Sequence, residues 1–235
     1  MPLAIADSLA AIEARIAAAC ARAGRARSTV TLVGASKVQP VDSLRAAFDA
    51  GLRDFGENRV QEGLAKAELL PAEIAWHLLG PLQSNKVRAA LRLYRTFHAV
   101  DRLSIALDLE REAARAGLDA RGFLEVNLGA EPTKHGFDPD EVLAAARELA
   151  PLEHLRLVGL MAIPPFGDDP EASRPWFVQL RSLRDDVATA LGPERFPGLL
   201  SMGMSDDFEV AIEEGATHVR IGTALFGARQ VRESS

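Results

Sequence analysis

Val30-Thr31-Leu32-Val33-Gly34-Ala35-Ser36-Lys37 is a run of apolar and small residues bounded by Ser28 and Pro40. Its length and flanks are those of a core strand in a parallel sheet. Alternation puts Thr31, Val33, Ala35 and Lys37 on one face and Leu32, Gly34 and Ser36 on the other. Lysine is a poor residue with which to end a buried face, because an unpaired buried ammonium is costly unless it sheds its proton. A neutral, desolvated amine is a nucleophile towards carbonyls. The plainer alternative is a lysine at a strand mouth whose amine simply reaches water. The chain has four lysines, Lys37, Lys66, Lys86 and Lys134. Lys66 follows Glu62 at the spacing of a solvated ion pair on a helix, Lys86 falls in the polar start of another helix, and Lys134 belongs to a loop. Only Lys37 ends an apolar strand.

Outward from this strand the same unit repeats. An amphipathic helix over 3–23 precedes it, with Ile5, Leu9, Ile12, Ile16 and Cys20 in one stripe and Gly24 as the stop. Pro40 breaks the chain after it, and Asp42 or Ser43 is the expected cap of a helix to Ala50. Strands are expected at 54–57, 76–79, 94–100, 122–128, 155–163, 199–202 and 218–221. Helices are expected from Asn58 to about Leu70, from Ser84, from Asp101 to Ala116, over 140–150 and 173–191, and from a Ser205 cap to just before Gly215. Eight strand-helix alternations call for a parallel sheet with right-handed crossovers and favour closure into a (β/α)8 TIM barrel with an extra N-terminal helix. An open doubly wound sheet is the alternative. The whole of 1–235 reads as one domain, with the helix in 1–24, the barrel in 30–229 and a tail in 230–235.

Composition narrows the function. At 48% hydrophobic and 26% charged residues the chain reads as a globular protein. Its net charge of −6, without a basic run, argues against nucleic acid as the main partner. Asp7 and Glu13 interrupt any apolar run at the N-terminus, so neither a signal peptide nor a membrane span is expected, which makes the cytoplasm the expected location. The single cysteine, Cys20, excludes an intrachain disulfide.

In such a barrel the chemistry lies at the carboxyl ends of the strands. Alternation turns Glu125 and Asn127 inward in the fifth strand, Ser201 in the seventh, and His218, Arg220 and Gly222 in the eighth. An internal ion pair, Arg220 with Glu125 for instance, would satisfy such residues without any function. Ser201-Met202-Gly203-Met204-Ser205 and Gly222-Thr223 follow the last two strands, the usual phosphate position of the fold. Asp206 and Asp207 suit a phosphate only if they point outward. His77, in the third strand, reads as a core histidine or as a base, and no metal-ligand spacing surrounds it. Lys134-His135-Gly136 reads as a surface turn, or else as a mobile second amine near the mouth.

Several stretches together resemble the pyridoxal phosphate homeostasis proteins, the YggS/PROSC-like group, over nearly the whole chain. They are Gly34-Ala35-Ser36-Lys37, Phe55-Gly56-Glu57-Asn58-Arg59-Val60-Gln61-Glu62, Trp76-His77 with Gly80-Pro81-Leu82-Gln83-Ser84-Asn85-Lys86, Gly159-Leu160-Met161, Ser201 to Ser205, and Arg220-Ile221-Gly222-Thr223. The resemblance implies a barrel like the N-terminal domain of alanine racemase, holding pyridoxal 5'-phosphate (PLP) as a reversible Schiff base on Lys37. It places Arg220 beside the pyridine nitrogen, Ser201, Gly203, Gly222 and Thr223 about the phosphate, and Asn58 and His77 near the cofactor. It implies a monomeric carrier that keeps PLP sequestered and supplies PLP-dependent apoenzymes, with no catalytic residue and no metal. The racemases of this barrel take a second base, a tyrosine, from an additional domain. Here the chain ends soon after the eighth unit, and Tyr94, the only tyrosine, starts strand four at the far end. The alternatives are a PLP-dependent amino-acid racemase and a cofactor-free Schiff-base aldolase.

Overall fold

The structure, a computed structural model, describes residues 4–129, 135–165, 167 and 169–227. Lys134 and the 230–235 tail lie outside them. The described elements are α1 (Ile5–Arg22), β1 (Thr31–Ala35), α2 (Val41–Asp49), β2 (Asp54–Glu57), α3 (Val60–Ala67), β3 (Ala75–Leu78), α4 (Val87–Ala90), β4 (Thr96–Val100), α5 (Leu103–Ala116), β5 (Ala120–Glu125), α6 (Val142–Leu149), β6 (Leu155–Met161), α7 (Arg174–Leu191), β7 (Leu199–Ser201), α8 (Phe208–Glu213), β8 (His218–Ile221) and α9 (Thr223–Phe226). The strands close in chain order into a barrel, every pair parallel, with β8 against β1. The open sheet is thereby excluded. No described helix is long and apolar enough to cross a membrane.

Alternation sorts the core into two layers. Leu32, Phe55, Trp76, Phe97, Leu124, Leu160, Leu200 and Ile221 face outward and pack with the helices. Each such large side chain contributes about 1.5–3 kcal/mol by leaving water. Inside the barrel the apolar cluster is small, with Ala99, Phe123, Val158 and Met161 at its centre. The register shifts between Phe97 and Val100 in β4, and such a bulge lets His98 and Ala99 both turn inward. Beside it and Val33 the interior carries buried polar groups, His77, His98, Ser201 and Arg220 among them, where branched aliphatic filling is usual in this fold. α1 buries its Leu9, Ile12, Ile16 and Cys20 stripe against α2, α8 and α9, covering the side of the barrel.

Three expected caps are not made. The caps of α2, α5 and α8 are Pro40, Arg102 and Asp207, none with a side-chain bond to the helix. Asp101 instead bonds Arg102 at 2.6 Å, and Ser205 accepts the Ala224 N–H at 3.2 Å. Asp42 and Ser43 fall inside α2 itself, Asp101 is taken by its neighbour, and Ser205 binds across to the start of α9 rather than along the helix that follows it. Of the expected strands over 94–100, 122–128 and 155–163, β4 starts later, at Thr96, β5 runs over Ala120–Glu125, and β6 ends at Met161, where its pairing with Glu125 ends.

Candidate functional site

The carboxyl ends of β1, β7 and β8 bring most of the expected residues together. Val33 is registered opposite Arg220, so Gly222 stands beside Ala35, and Lys37 lies two residues beyond that point. The Arg220 N–H donates to Gly203 O at 3.0 Å, joining the turn after β7 to β8. Ser205 joins the same turn to the start of α9. Gly203 has φ +90°, and a Cβ there would lie 2.6 Å from the Ala211 Cβ, so only glycine fits. Gly222 is different. Its φ is −111°, and a Cβ would meet nothing closer than Ala35 O at 3.4 Å, so the chain itself makes no demand for glycine there. Thr223 opens α9 with its side chain exposed.

Lys37 is half-buried, and both of its neighbours are clamped. Ser36 donates its hydroxyl to Glu57 Oε1 at 2.6 Å, while the Lys66 Nζ donates to Ser36 O at 2.8 Å, to Glu57 Oε1 at 2.8 Å and to Glu62 Oε1 at 2.7 Å. The Val38 N–H donates to the same Glu62 oxygen at 2.6 Å. Val38 has φ 64°, the only positive φ at a non-glycine among the described residues, and an uncommon one for a β-branched side chain. Lys66 is therefore not the solvated partner that its spacing from Glu62 suggests. It is buried at 8% exposure because its second carboxylate comes from β2 rather than from its own helix. Burial holds the Glu57 carboxyl above its ordinary range, and the bonds from Lys66 and Ser36 offset this only in part. Burial would also raise Glu62, but bonds from Lys66 and Val38 outweigh it and hold that carboxyl low.

Arg220 is buried inside the barrel and donates to Ser201 Oγ at 2.7 Å and to Ala162 O at 3.1 Å. Burial draws its guanidinium down to about 10 against the pull of Asp207 and Glu125. The hydroxyl of Ser201 is thus engaged by Arg220, and also by His98 Nδ1 at 2.7 Å. His98 Nε2 meets His77 Nδ1 at 2.9 Å, and His77 Nε2 meets Asp54 Oδ1 at 3.0 Å. His77 is accordingly not brought to the mouth; it lies deep in the interior, tied to the first residue of β2. His98 and Asp54 were missed in the sequence. The signal was the alternation of His98 with Phe97, but nothing in sequence spacing links β2, β3, β4 and β7.

Asp207 does not point outward as a neighbouring phosphate would require. It is buried, and its Oδ1 accepts the Met204 N–H at 2.7 Å, while Asp206 is exposed. Asn58 follows β2 and lines a cavity of about 630 Å³ with Arg59, Lys86, Arg102 and His135, on the other side of the mouth. No group of three or more potential metal ligands occurs among the described residues.

Glu125 faces inward as expected but does not pair with Arg220, which is spent on Ser201 and Ala162. Its Oε2 is buried without a partner among the described residues, and burial, helped by Asp101, pushes the carboxyl up to about 7. The native state therefore keeps a proton that the unfolded chain releases at a lower pH. Stability is lost as pH rises from the unfolded value through about 7, and is flat above it. Glu125→Gln should be close to neutral at a pH of about 4.5 and stabilising by roughly 1–3 kcal/mol at about 8. Urea unfolding at the two pH values measures this, and an equal effect at both would contradict the raised pKa.

Residues 8–230 match the alanine racemase N-terminal domain family. A pyridoxal phosphate homeostasis protein of Pseudomonas aeruginosa is 47% identical over 227 residues, 96% of this chain and 96% of that one. Its counterpart from Aquifex aeolicus is 42% identical over 225 residues, 95% and 98% of the two chains. The solved structure of PipY of Synechococcus elongatus with PLP bound superposes with a TM-score of 0.81 at 36% identity, over 95% of this chain and 100% of that one.

Proposed function

The chain belongs to the pyridoxal phosphate homeostasis family, and from that premise we propose that it binds PLP at the carboxyl ends of β1, β7 and β8, with Lys37 as the covalent anchor. The observation that carries this reading is the meeting of Lys37, the Gly203 and Gly222 turns and the buried Arg220 at one mouth. PLP supplies an aldehyde that an amine takes up reversibly. The residues fit it. Lys37 offers the amine on a loop held on both sides, and the backbone at Gly203, Gly222 and Thr223 offers N–H groups to a phosphate. Space left by the missing Cβ of Gly222, which no described residue fills, suits an incoming group. With its hydroxyl engaged by Arg220 and His98, Ser201 serves the site through Arg220 rather than as a phosphate donor. Arg220 can only donate, so a pyridine nitrogen beside it stays unprotonated, which weakens the cofactor as an electron sink. Asn58 borders the site from the β2 side. The protein acts as a carrier in the cytoplasm, keeping the aldehyde sequestered and passing PLP to apoenzymes. The reading is tested by the visible spectrum of PLP-loaded protein before and after borohydride, followed by peptide mapping.

Two expected results belong here. Thr223→Ala should raise the Kd for PLP by about tenfold, the loss of one hydrogen bond to a charged group, without lowering Tm. Unchanged retention would remove Thr223 from the phosphate cradle. Incubated with single enantiomers of amino acids in deuterated water, the loaded protein should exchange α-protons far more slowly than roughly 1 per second, an ordinary enzyme rate. Racemisation needs a base on each face of the α-carbon. The hydroxyl of Tyr94 is buried beneath Gly63, whose Cβ it would meet at 1.8 Å, between α3 and the outside of the barrel. His77 and His98 are bonded to one another in the interior. Exchange at enzyme rates that vanishes in Lys37→Ala would place the protein among the enzymes.

A further inference from the structure

We propose that Asp54, His77 and His98 are positioning residues for Arg220, acting through Ser201 by a chain of hydrogen bonds that passes through two neutral imidazoles and so runs in one direction. The inference rests on the reading above, in which Arg220 faces the cofactor ring.

A guanidinium only donates and a carboxylate only accepts. Between them the chain runs Arg220 NH1, Ser201 Oγ, His98 Nδ1, His98 Nε2, His77 Nδ1, His77 Nε2 and Asp54 Oδ1, with gaps of 2.7, 2.7, 2.9 and 3.0 Å between residues. His98 is neutral, because burial, with the Arg220 and Arg121 charges adding to it, holds its pKa well below the ordinary value. A neutral imidazole has one N–H and one bare nitrogen. Starting from Asp54, a neutral His77 carries its proton on Nε2, which leaves Nδ1 bare. His98 must then carry its proton on Nε2 and present a bare Nδ1 to the hydroxyl of Ser201. The serine proton goes to His98, and the serine lone pair is left facing Arg220. Reversing any link sets two lone pairs against each other, the last of them at the Asp54 carboxylate.

The consequence falls on Arg220. Donating to His98 keeps the Ser201 proton away from Arg220 and a lone pair towards it, and Ala162 O holds the second terminal nitrogen at 3.1 Å. Two anchors on two nitrogens fix the plane of a planar group; one anchor leaves it free to rotate. The His98 ring is itself held flat on Phe123, with centroids 4.7 Å apart and planes 22° apart, and edge-on to His218. The far end is accessible. The Asp54 side chain is 32% exposed and borders a cavity of about 620 Å³ between α1 and the amino ends of β1 and β2. It can therefore be changed without opening the interior.

Three variants and one spectrum test the chain. His98→Leu breaks it, whereas His98→Gln supplies one acceptor and one donor and can pass it on in the same direction. His98→Leu should raise the Kd for PLP by about tenfold or more and move the visible band of the bound cofactor, and His98→Gln should stay within about threefold with the band in place. Asp54→Ala should move the band in the same sense as His98→Leu. In PLP-free protein, imidazole ¹⁵N shifts should show His98 protonated on Nε2 and bare on Nδ1. A His98→Leu protein with the parent's affinity and band, or a protonated His98 Nδ1, would overturn the proposal. If His98→Leu does not fold, Asp54→Ala and the ¹⁵N shifts decide it. Absence of any chromophore in the unaltered protein would instead defeat the PLP reading, while the ¹⁵N shifts would still judge the chain.

Discussion

Lys37→Ala should abolish the borohydride-trapped PLP adduct entirely, leaving retention through the phosphate alone. The loss is expected to be complete because the other described lysines are poorly placed to substitute. The Lys66 Nζ is spent on three acceptors and is buried behind β1 and β2, between α3 and the sheet. Lys86 lines the cavity beyond β3 and β4, across the mouth from the Gly203 and Gly222 turns. A Schiff base needs the amine and the carbonyl held in contact, and anchoring the phosphate on the β7 and β8 turns confines the aldehyde to the neighbourhood of β1. Intact mass after reduction, followed by peptide mapping, measures the result. An adduct that maps mainly to Lys86 or Lys134 in the unaltered protein would refute the assignment, as would full labelling of the alanine variant.

The closed barrel was legible because period-2 alternation survives in nearly every strand. The inward set of Glu125, Ser201, His218 and Arg220 follows from that alternation alone, and their outward neighbours Leu124, Leu200, Val219 and Ile221 all lie in the outer core. What alternation does not carry is the partner of each inward group. Arg220 reads as equally ready to pair with Glu125, yet its bonds go to Ser201 and to a backbone oxygen after β6, because closure fixes which side chains meet at one height. His98 was invisible for the same reason, compounded by the bulge that puts Ala99 out of phase. Lys66 was misread because a helical i,i+4 pair carries no sign of whether a third charge lies against it. The family resemblance supplied the cofactor, which residue types alone did not; they left a Schiff-base aldolase open.

Lys66→Met should destabilise the protein by about 3–5 kcal/mol near neutral pH, the usual cost of removing one partner of a buried ion pair. Methionine keeps the length of the side chain, so lost packing is a small part of the effect. What remains is a Glu57 side chain at 0% exposure with only the Ser36 hydroxyl for company and a Ser36 carbonyl without its ammonium. Burial already raises the Glu57 carboxyl, and without Lys66 it rises further and takes a proton. A raised folded pKa withdraws stability as pH climbs above the unfolded value, so the loss should be smallest in acid and grow towards neutrality. The second effect is on Lys37. Val38 sits at φ 64°, a conformation costing about 1–2 kcal/mol, and is held there by Glu62, which Lys66 in turn orients. Freed from Glu62, the 36–38 segment can relax and carry the Lys37 amine away from its bound position. Stability and positioning separate in the double variant Lys66→Met with Glu57→Gln, which removes the stranded charge but restores neither hold on the loop. It should recover much of the lost Tm and still be trapped by borohydride more slowly than the parent at equal PLP. A double variant that is trapped as fast as the parent would reduce the clamp to a purely stabilising role.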